Sequence, residues 1–230
     1  MKKIIAFVLL AVLVSSCYKK FRSGSSLRPL AAANKEISVN YFTTINVAGN
    51  VKVYYQQGTR NFVKFEGPES LLKYYGVEVR DNALCIAIRD NSLNFFRDDE
   101  DVRIIVSSTD LVEVGMAGSG EFHCGQHLDT DRLRLKVAGS GDIDMADVIC
   151  DNLTCDIAGS GDIKVRQVTT GEAQAVIAGS GDIGLNLVQC GSVKVKIAGS
   201  GDVKLKGKTD HFDMKVAGSG KVDTSELITK

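Results

Sequence analysis

Apolar and polar residues alternate through the second half of the chain, and the alternation restarts at a near-constant interval. Each restart is marked by the tetrapeptide Ala-Gly-Ser-Gly, which begins at Ala117, Ala138, Ala158, Ala178, Ala198 and Ala217, in steps of 21, 20, 20, 20 and 19 residues. One residue before it stand Val137, Ile157, Ile177, Ile197 and Val216; three before, Leu135, Cys155, Ala175, Val195 and Met214; five before, Leu133, Leu153, Ala173, Val193 and Phe212. Between them lie Arg134, Lys136, Thr154, Asp156, Lys194, Lys196, Asp213 and Lys215. A period of two marks a strand with one buried face, whereas a helix face would mix the two sets. After the glycines the alternation resumes with Ile143, Ile163, Ile183 and Val203, then Met145, Val165, Leu185 and Leu205. A second strand therefore follows each corner.

A unit of this length buries its apolar face only by stacking on the next unit. The predicted fold is all-β: a single-stranded parallel β-helix, or solenoid, with coils of ~20 residues rising ~4.8 Å each. Gly118, Gly120, Gly139, Gly141, Gly159, Gly161, Gly179, Gly181, Gly199, Gly201, Gly218 and Gly220 are its expected structural turns, where coil lies on coil without room for a β-carbon. Proline is absent after Pro68, in keeping with a ladder that needs every backbone N–H.

Residues 36–115 are less regular, and residues 116–228 hold the repeats. Tyr41 to Val53 is a diverged strand-corner-strand unit around Ala48-Gly49, and further strands are expected at 62–65, 77–79 and 84–88. Pro68 through Tyr75, with Gly76 after it, predicts one short helix. An open solenoid exposes a strand edge at each end. The irregular N-terminal part is expected to cap one end, while only Val222 to Ile228 follow the last corner at the other.

Ahead of all this, Lys2 and Lys3 precede an apolar run from Ile4 to Val14 and then Ser15-Ser16-Cys17. The run is too short to cross a bilayer, which takes about 20 residues, and it reads as a secretion signal. It resembles a lipoprotein signal, so the expected organisation is a signal peptide at 1–16, a lipid-carrying Cys17 opening a basic tether at 17–35, and a folded domain at 36–230. With the signal removed, 26 basic and 28 acidic residues remain, a balance that argues against nucleic acid as a partner.

Phe42-x-x-Ile45-x-Val47-x-Gly49-x-x-x-Val53 with Gly58, the pair Val77-Glu78-Val79-Arg80-Asp81-x-x-Leu84-x-Ile86, and the recurring (Val/Ile)-Ala-Gly-Ser-Gly-Asp-(Ile/Val) together resemble the auto-transporter adhesin, head GIN domain family. The resemblance covers roughly residues 36–228. It implies a β-solenoid outside the cytoplasm, in a family whose name suggests adhesion and which carries no established activity, and it transfers no functional residue, because the motif is structural.

The sharpest candidate chemistry is the column Asp142, Asp162, Asp182 and Asp202, one per coil, with Glu121 at one end and Lys221 at the other. Stacked carboxylates about 5 Å apart match a retaining glycosidase pair or a shared hard cation. The same carboxylates can instead accept turn N–H groups, which needs no ligand. The second reading is preferred, leaving the four aspartates as weak metal candidates.

Ser119, Ser140, Ser160, Ser180, Ser200 and Ser219 form a second column, expected to bond along the ladder. His123 and His127 are expected as exposed turn residues. The five cysteines after Cys17 are an odd set without zinc spacing, and Cys150 and Cys190, two coils apart, are read as buried fillers. Tyr54, Tyr55, Tyr74 and Tyr75 are candidates for stacking on sugars or for the core. The charge run Arg97 to Asp101 is expected to be a solvated loop.

The expectation is thus a non-catalytic envelope lipoprotein for adhesion, binding or scaffolding, with no cofactor. Its candidate partners are a membrane through lipid, a glycan, matrix or protein ligand, and another copy of itself. The alternative is a β-helix carbohydrate-active enzyme, or a calcium-binding repeat protein, using the aspartate column. Tyr18 after the cysteine points to the outer membrane, while Lys19, Lys20 and Arg22 leave the periplasmic or surface side open.

Overall fold

The computed structural model describes residues 28–29, 34–88 and 102–230. The signal segment, Cys17, most of the tether and the charge run at 97–101 lie outside the described residues. Strands β1 (Arg28–Pro29), β2 (Glu36–Ser38), β3 (Thr44–Ala48), β4 (Lys52–Gln57) and β5 (Phe62–Glu66) come first. A 3-10 helix at Glu69–Tyr74 leads into β6 (Tyr75–Arg80), β7 (Ala83–Ile88), β8 (Arg103–Ser108), β9 (Glu113–Gly118) and β10 (Glu121–Asp129). The repeats are β11 (Arg132–Gly139), β12 (Asp142–Gly159), β13 (Ile163–Gly179), β14 (Ile183–Gly199), β15 (Val203–Gly218) and β16 (Val222–Thr229).

The fold is a parallel β-solenoid with equivalent residues in register from coil to coil. Ile157 pairs with Ile177 and Ile177 with Ile197, and Ala158, Ala178 and Ala198 follow one place on. The two off-length steps have local causes. Between Cys124 and His127, three residues of β10 span what two span between Met145 and Asp147 of β12, which accounts for the step of 21. Between Leu187 and Cys190 the relation inverts, because Gly207 to Thr209 is one residue shorter, which gives the step of 19. Gly207 absorbs that shortening at φ 93°, a left-handed conformation that β-carbons disfavour.

One hydrophobic interior runs the length of the stack. It is filled by large rings at the N-terminal end, where Phe42, Phe65 and Phe122 are fully buried, and by small side chains further on, such as Cys155, Ala173 and Ala175. Lys136 and Asp156 depart from the outward-polar alternation in being almost fully buried, at 9% and 4% exposure. Both are paired across coils, Lys136 with Glu113 at 2.7 Å and Asp156 with Arg134 at 2.8 Å. A charge this buried is tolerable only when so compensated.

Stacking order and chain order differ at the N-terminal end. Strand β3 lies between β7 and β9, and β4 between β8 and β10, all parallel. Beyond them β6 runs antiparallel to β7, and β5 antiparallel to β8. The outermost strands, β1 on β6 and β2 on β5, have only two and three residues, and such short edges resist adding another chain. The irregular N-terminal part is thus the cap. The expected helix is present as 3-10 turns over Glu69–Tyr74, and Tyr75 already belongs to β6. A stretch this short is marginal as an α-helix.

Candidate functional site

Each coil turns at two corners, and their chemistry differs. At the first, Ala-Gly-Ser-Gly, a β-carbon on Gly179 or Gly181 would overlap the carbonyl oxygen of Gly159 or Gly161 directly below. Gly179 also sits at φ 143°. The aspartate after each corner faces solvent but has one oxygen engaged. Asp162 N–H donates to Oδ1 of Asp142 at 3.1 Å, Asp182 to Asp162 at 2.9 Å, Asp202 to Asp182 at 2.8 Å and Lys221 to Asp202 at 2.8 Å. Each carboxylate thus caps a backbone donor of the following coil. The serines contribute to the ladder through the backbone N–H, as in Ser180 to Gly159 O at 2.8 Å, while their side chains are exposed.

Among the described residues, no three His, Cys, Asp or Glu side chains converge as a metal ion would require. His123 and His127 lie in strand β10 and not in a turn. His123 stacks on Tyr54 with ring centroids 5.1 Å apart and contacts Glu121 at 3.0 Å, whereas His127 meets Asp147 at 2.7 Å. The two imidazoles therefore have separate partners. The Arg103 guanidinium also lies over the Tyr54 ring, 5.6 Å from its centroid.

Of the remaining tyrosines, Tyr55 and Tyr75 are core residues, at 3% exposure each. Burial pushes the Tyr55 phenol well above its ordinary value, against the opposing hydrogen bond to Ser108. Burial likewise raises the thiols of Cys124, Cys150 and Cys190, and that of Cys155 furthest, with the Asp156 carboxylate adding to it. Such thiols stay protonated and are poor nucleophiles.

The second corner carries a column that the sequence periodicity did not expose: Thr130, Cys150, Thr170, Cys190 and Thr209, all buried. Thr170 Oγ1 donates to Glu172 O at 3.1 Å, Cys190 Sγ to Ser192 O at 3.2 Å and Thr209 Oγ1 to His211 O at 3.0 Å. Cys190 is thus more than a filler, its S–H holding the turn as the threonine O–H does, while the Cys150 S–H is directed at Thr170 Oγ1 of the next coil at 3.7 Å. The signal was present as an alternation of Thr with Cys at fixed register, two residues that share size and a short donor.

Outside this column lies an open groove of about 430 Å³ crossing successive coils. Its lining includes Asp131, Asp151, Gln189 and Asp210 around the half-exposed Ile149. Asp210 is paired with Lys230 at 3.2 Å. The side chains of Asp131, Asp151 and Gln189 carry no hydrogen bond or ion pair among the described residues.

Flat parallel coils, one closed glycine corner and one polar groove define a β-solenoid whose repeats present an extended surface. The chain belongs to the family described as "Putative auto-transporter adhesin, head GIN domain", whose model matches residues 41–184 and 162–230. The fold is shared with a putative adhesin from Bacteroides fragilis at 23% identity and TM-score 0.68, over 87% of this chain and 99% of that one. It is shared too with a putative adhesin from Parabacteroides merdae at 20% identity and TM-score 0.66, over 84% and 95%. A putative lipid binding protein from Parabacteroides distasonis aligns at 24% identity and TM-score 0.53, over 84% and 95%. No curated protein matches the chain.

Proposed function

We propose that this chain is a non-catalytic binding module of the bacterial cell envelope, anchored by lipid on Cys17 and spaced from the membrane by residues 17–35. Its ligand is a glycan, taken in the groove of the second corner. The observation that carries this reading is the contrast in how polar groups are used. First-corner carboxylates are committed to backbone N–H groups, while Asp131, Asp151 and Gln189 face the groove without a partner among the described residues. Carboxylates and amides can receive and supply the hydrogen bonds that sugar hydroxyls exchange, and the exposed Ile149 offers an apolar surface to a ring face. The adhesin description of the family supports a binding role and an envelope location.

The test is a glycan array probed with the full chain in detergent. Asp151→Asn combined with Gln189→Ala should lower binding at least tenfold, whereas Asp162→Asn with Asp182→Asn should leave it unchanged. Turnover of a bound glycan that disappears in the Asp162→Asn, Asp182→Asn variant would overturn the non-catalytic reading. Fatty-acid labelling that persists in Cys17→Ala would remove the anchor, and protease shaving of intact cells decides which side the domain faces.

A further inference from the structure

The C-terminal end of the stack is a step. Strand β16 covers only the first part of β15, from Val203 opposite Val222 to Thr209 opposite Thr229. From His211 to Gly218, β15 pairs with β14 on one side and has no strand on the other among the described residues. One face of the solenoid therefore ends a strand higher than the opposite face. Core positions that are closed one coil earlier are open here: Val195 and Ile197 are 1% and 2% exposed, their successors Met214 and Val216 53% and 41%. Phe212, Val222 and Leu227 are half-buried against the same interior.

The backbone of both edges is oriented in a definite way. Arg134 N–H donates to Val112 O of the preceding coil at 2.9 Å, and register carries Arg134 through Thr154, Gln174 and Lys194 to Asp213. Asp213 therefore faces back into the stack, and its neighbours Phe212, Met214 and Val216 aim N–H and C=O at the open side. On β16, Val203 N–H donates to Lys221 O at 2.9 Å, so Lys221 and Asp223 face back while Val222 and Thr224 face out. On each edge the residues with unused backbone groups are those whose side chains point inward.

We infer that a second copy of this chain covers this end, in a twofold dimer whose axis runs along the strands. In that arrangement the high side of each step meets the low side of the other. The open half of β15 in each copy runs antiparallel to β16 of its partner copy. Val216 then falls opposite Val222, Met214 opposite Thr224, and Phe212 opposite Leu227 beyond the irregularity near Ser225. All the matched positions are inward-facing, so the two interiors join into one.

On the solvent side Lys215 meets Asp223, and Asp213 approaches Glu226, whose charge is already offset by Lys204 at 3.4 Å and Lys206 at 2.8 Å. A pairing of β15 with β15 is blocked, because the two β16 strands would occupy the same level behind it. The contact is isologous, so it closes both edges at once and leaves none to propagate. Since the cap strands lie at the far end of each stack, the two N-terminal ends point away from each other.

Lys215 and Asp223 would form a non-hydrogen-bonded cross-strand pair, the closer of the two antiparallel spacings and within reach of a disulfide. Within one chain they sit on opposite faces. The full chain bearing Lys215→Cys and Asp223→Cys should give a covalent dimer on a non-reducing gel after mild oxidation, and neither single variant should. Sedimentation of the unmodified chain in detergent should show a dimer that Val216→Asp converts to a monomer with unchanged β circular dichroism. A folded double-cysteine variant that stays monomeric, or a dimer cross-linked instead by Met214→Cys alone, would overturn the proposal.

Discussion

At the first corner of each coil the backbone passes so close to the coil below that a β-carbon has no place, and the following aspartate is bonded upward to the next coil. At the second corner the chain turns on a buried Thr or Cys, Gly171 has more room than Gly179 or Gly181, and the carboxylates beyond face open solvent. The register irregularities, at 124–127, 165–169, 187–190 and 204–206, also lie on the strand segments that run toward the second corner. One side of the solenoid is therefore a closed seam whose residues are used by the fold. The other has spare space and spare polar groups, which is what a variable recognition surface requires.

The largest effect should come from testing the seam against its counterpart. In Gly181→Ala the new methyl meets the backbone carbonyl of Gly161, which can move only by breaking the ladder. The expected cost is about 4 kcal/mol or more, in the range of severe core disruption. Gly171, at the second corner, would place its β-carbon 3.1 Å from the Asp151 carbonyl, a contact that a small shift relieves. Gly171→Ala should therefore cost no more than about 1 kcal/mol. Urea unfolding of the two variants measures the difference, and equal costs would erase the distinction between the corners.

A smaller effect is expected within the seam itself. Asp162→Ala removes the acceptor of the Asp182 N–H. It should cost about 1–2 kcal/mol, the usual penalty for a hydrogen bond lost at a charged acceptor. Asp162→Asn keeps an oxygen in place and lowers the charge of the column, so it should cost less than half as much. If Asn proved as damaging as Ala, the negative charge itself would be required, and a cation would return as an explanation of the column.

These two corners were unequally legible in the sequence. Ala-Gly-Ser-Gly announces the first because steric exclusion accepts glycine alone, so the letters repeat and the coils align on them. The second corner requires a short buried donor, a demand that both Thr and Cys meet, so Thr130, Cys150, Thr170, Cys190 and Thr209 do not look alike as letters. The groove was hidden for the same reason. Its residues are spread over several coils and converge only once the coils are stacked.

At the N-terminal end the existence of a cap was legible from the loss of period. The insertion of β3 between β7 and β9 was not, because long-range parallel pairing leaves no local pattern. Lys136 and Asp156 show a further limit. Alternation places them outward, yet their burial depends on partners, Glu113 and Arg134, that stand in other coils.

The smallest expected effect is also the closest test of what the second corner asks of its residue. Cys190 Sγ donates to Ser192 O at 3.2 Å, the same i to i+2 bond that Thr209 makes to His211. Its register neighbours are Thr170 below and Thr209 above, so the site already accommodates a γ-methyl in adjacent coils. Cys190→Thr should then change stability by less than about 0.5 kcal/mol, since a hydroxyl is the stronger donor and the added volume has precedent. Cys190→Ala keeps the backbone free to turn but leaves a carbonyl without its donor and a void in the column, for about 1–2 kcal/mol. Should Thr and Ala prove equally costly, the buried thiol would be valued for its shape, and the corner would be a packing device in which the S–H contributes nothing.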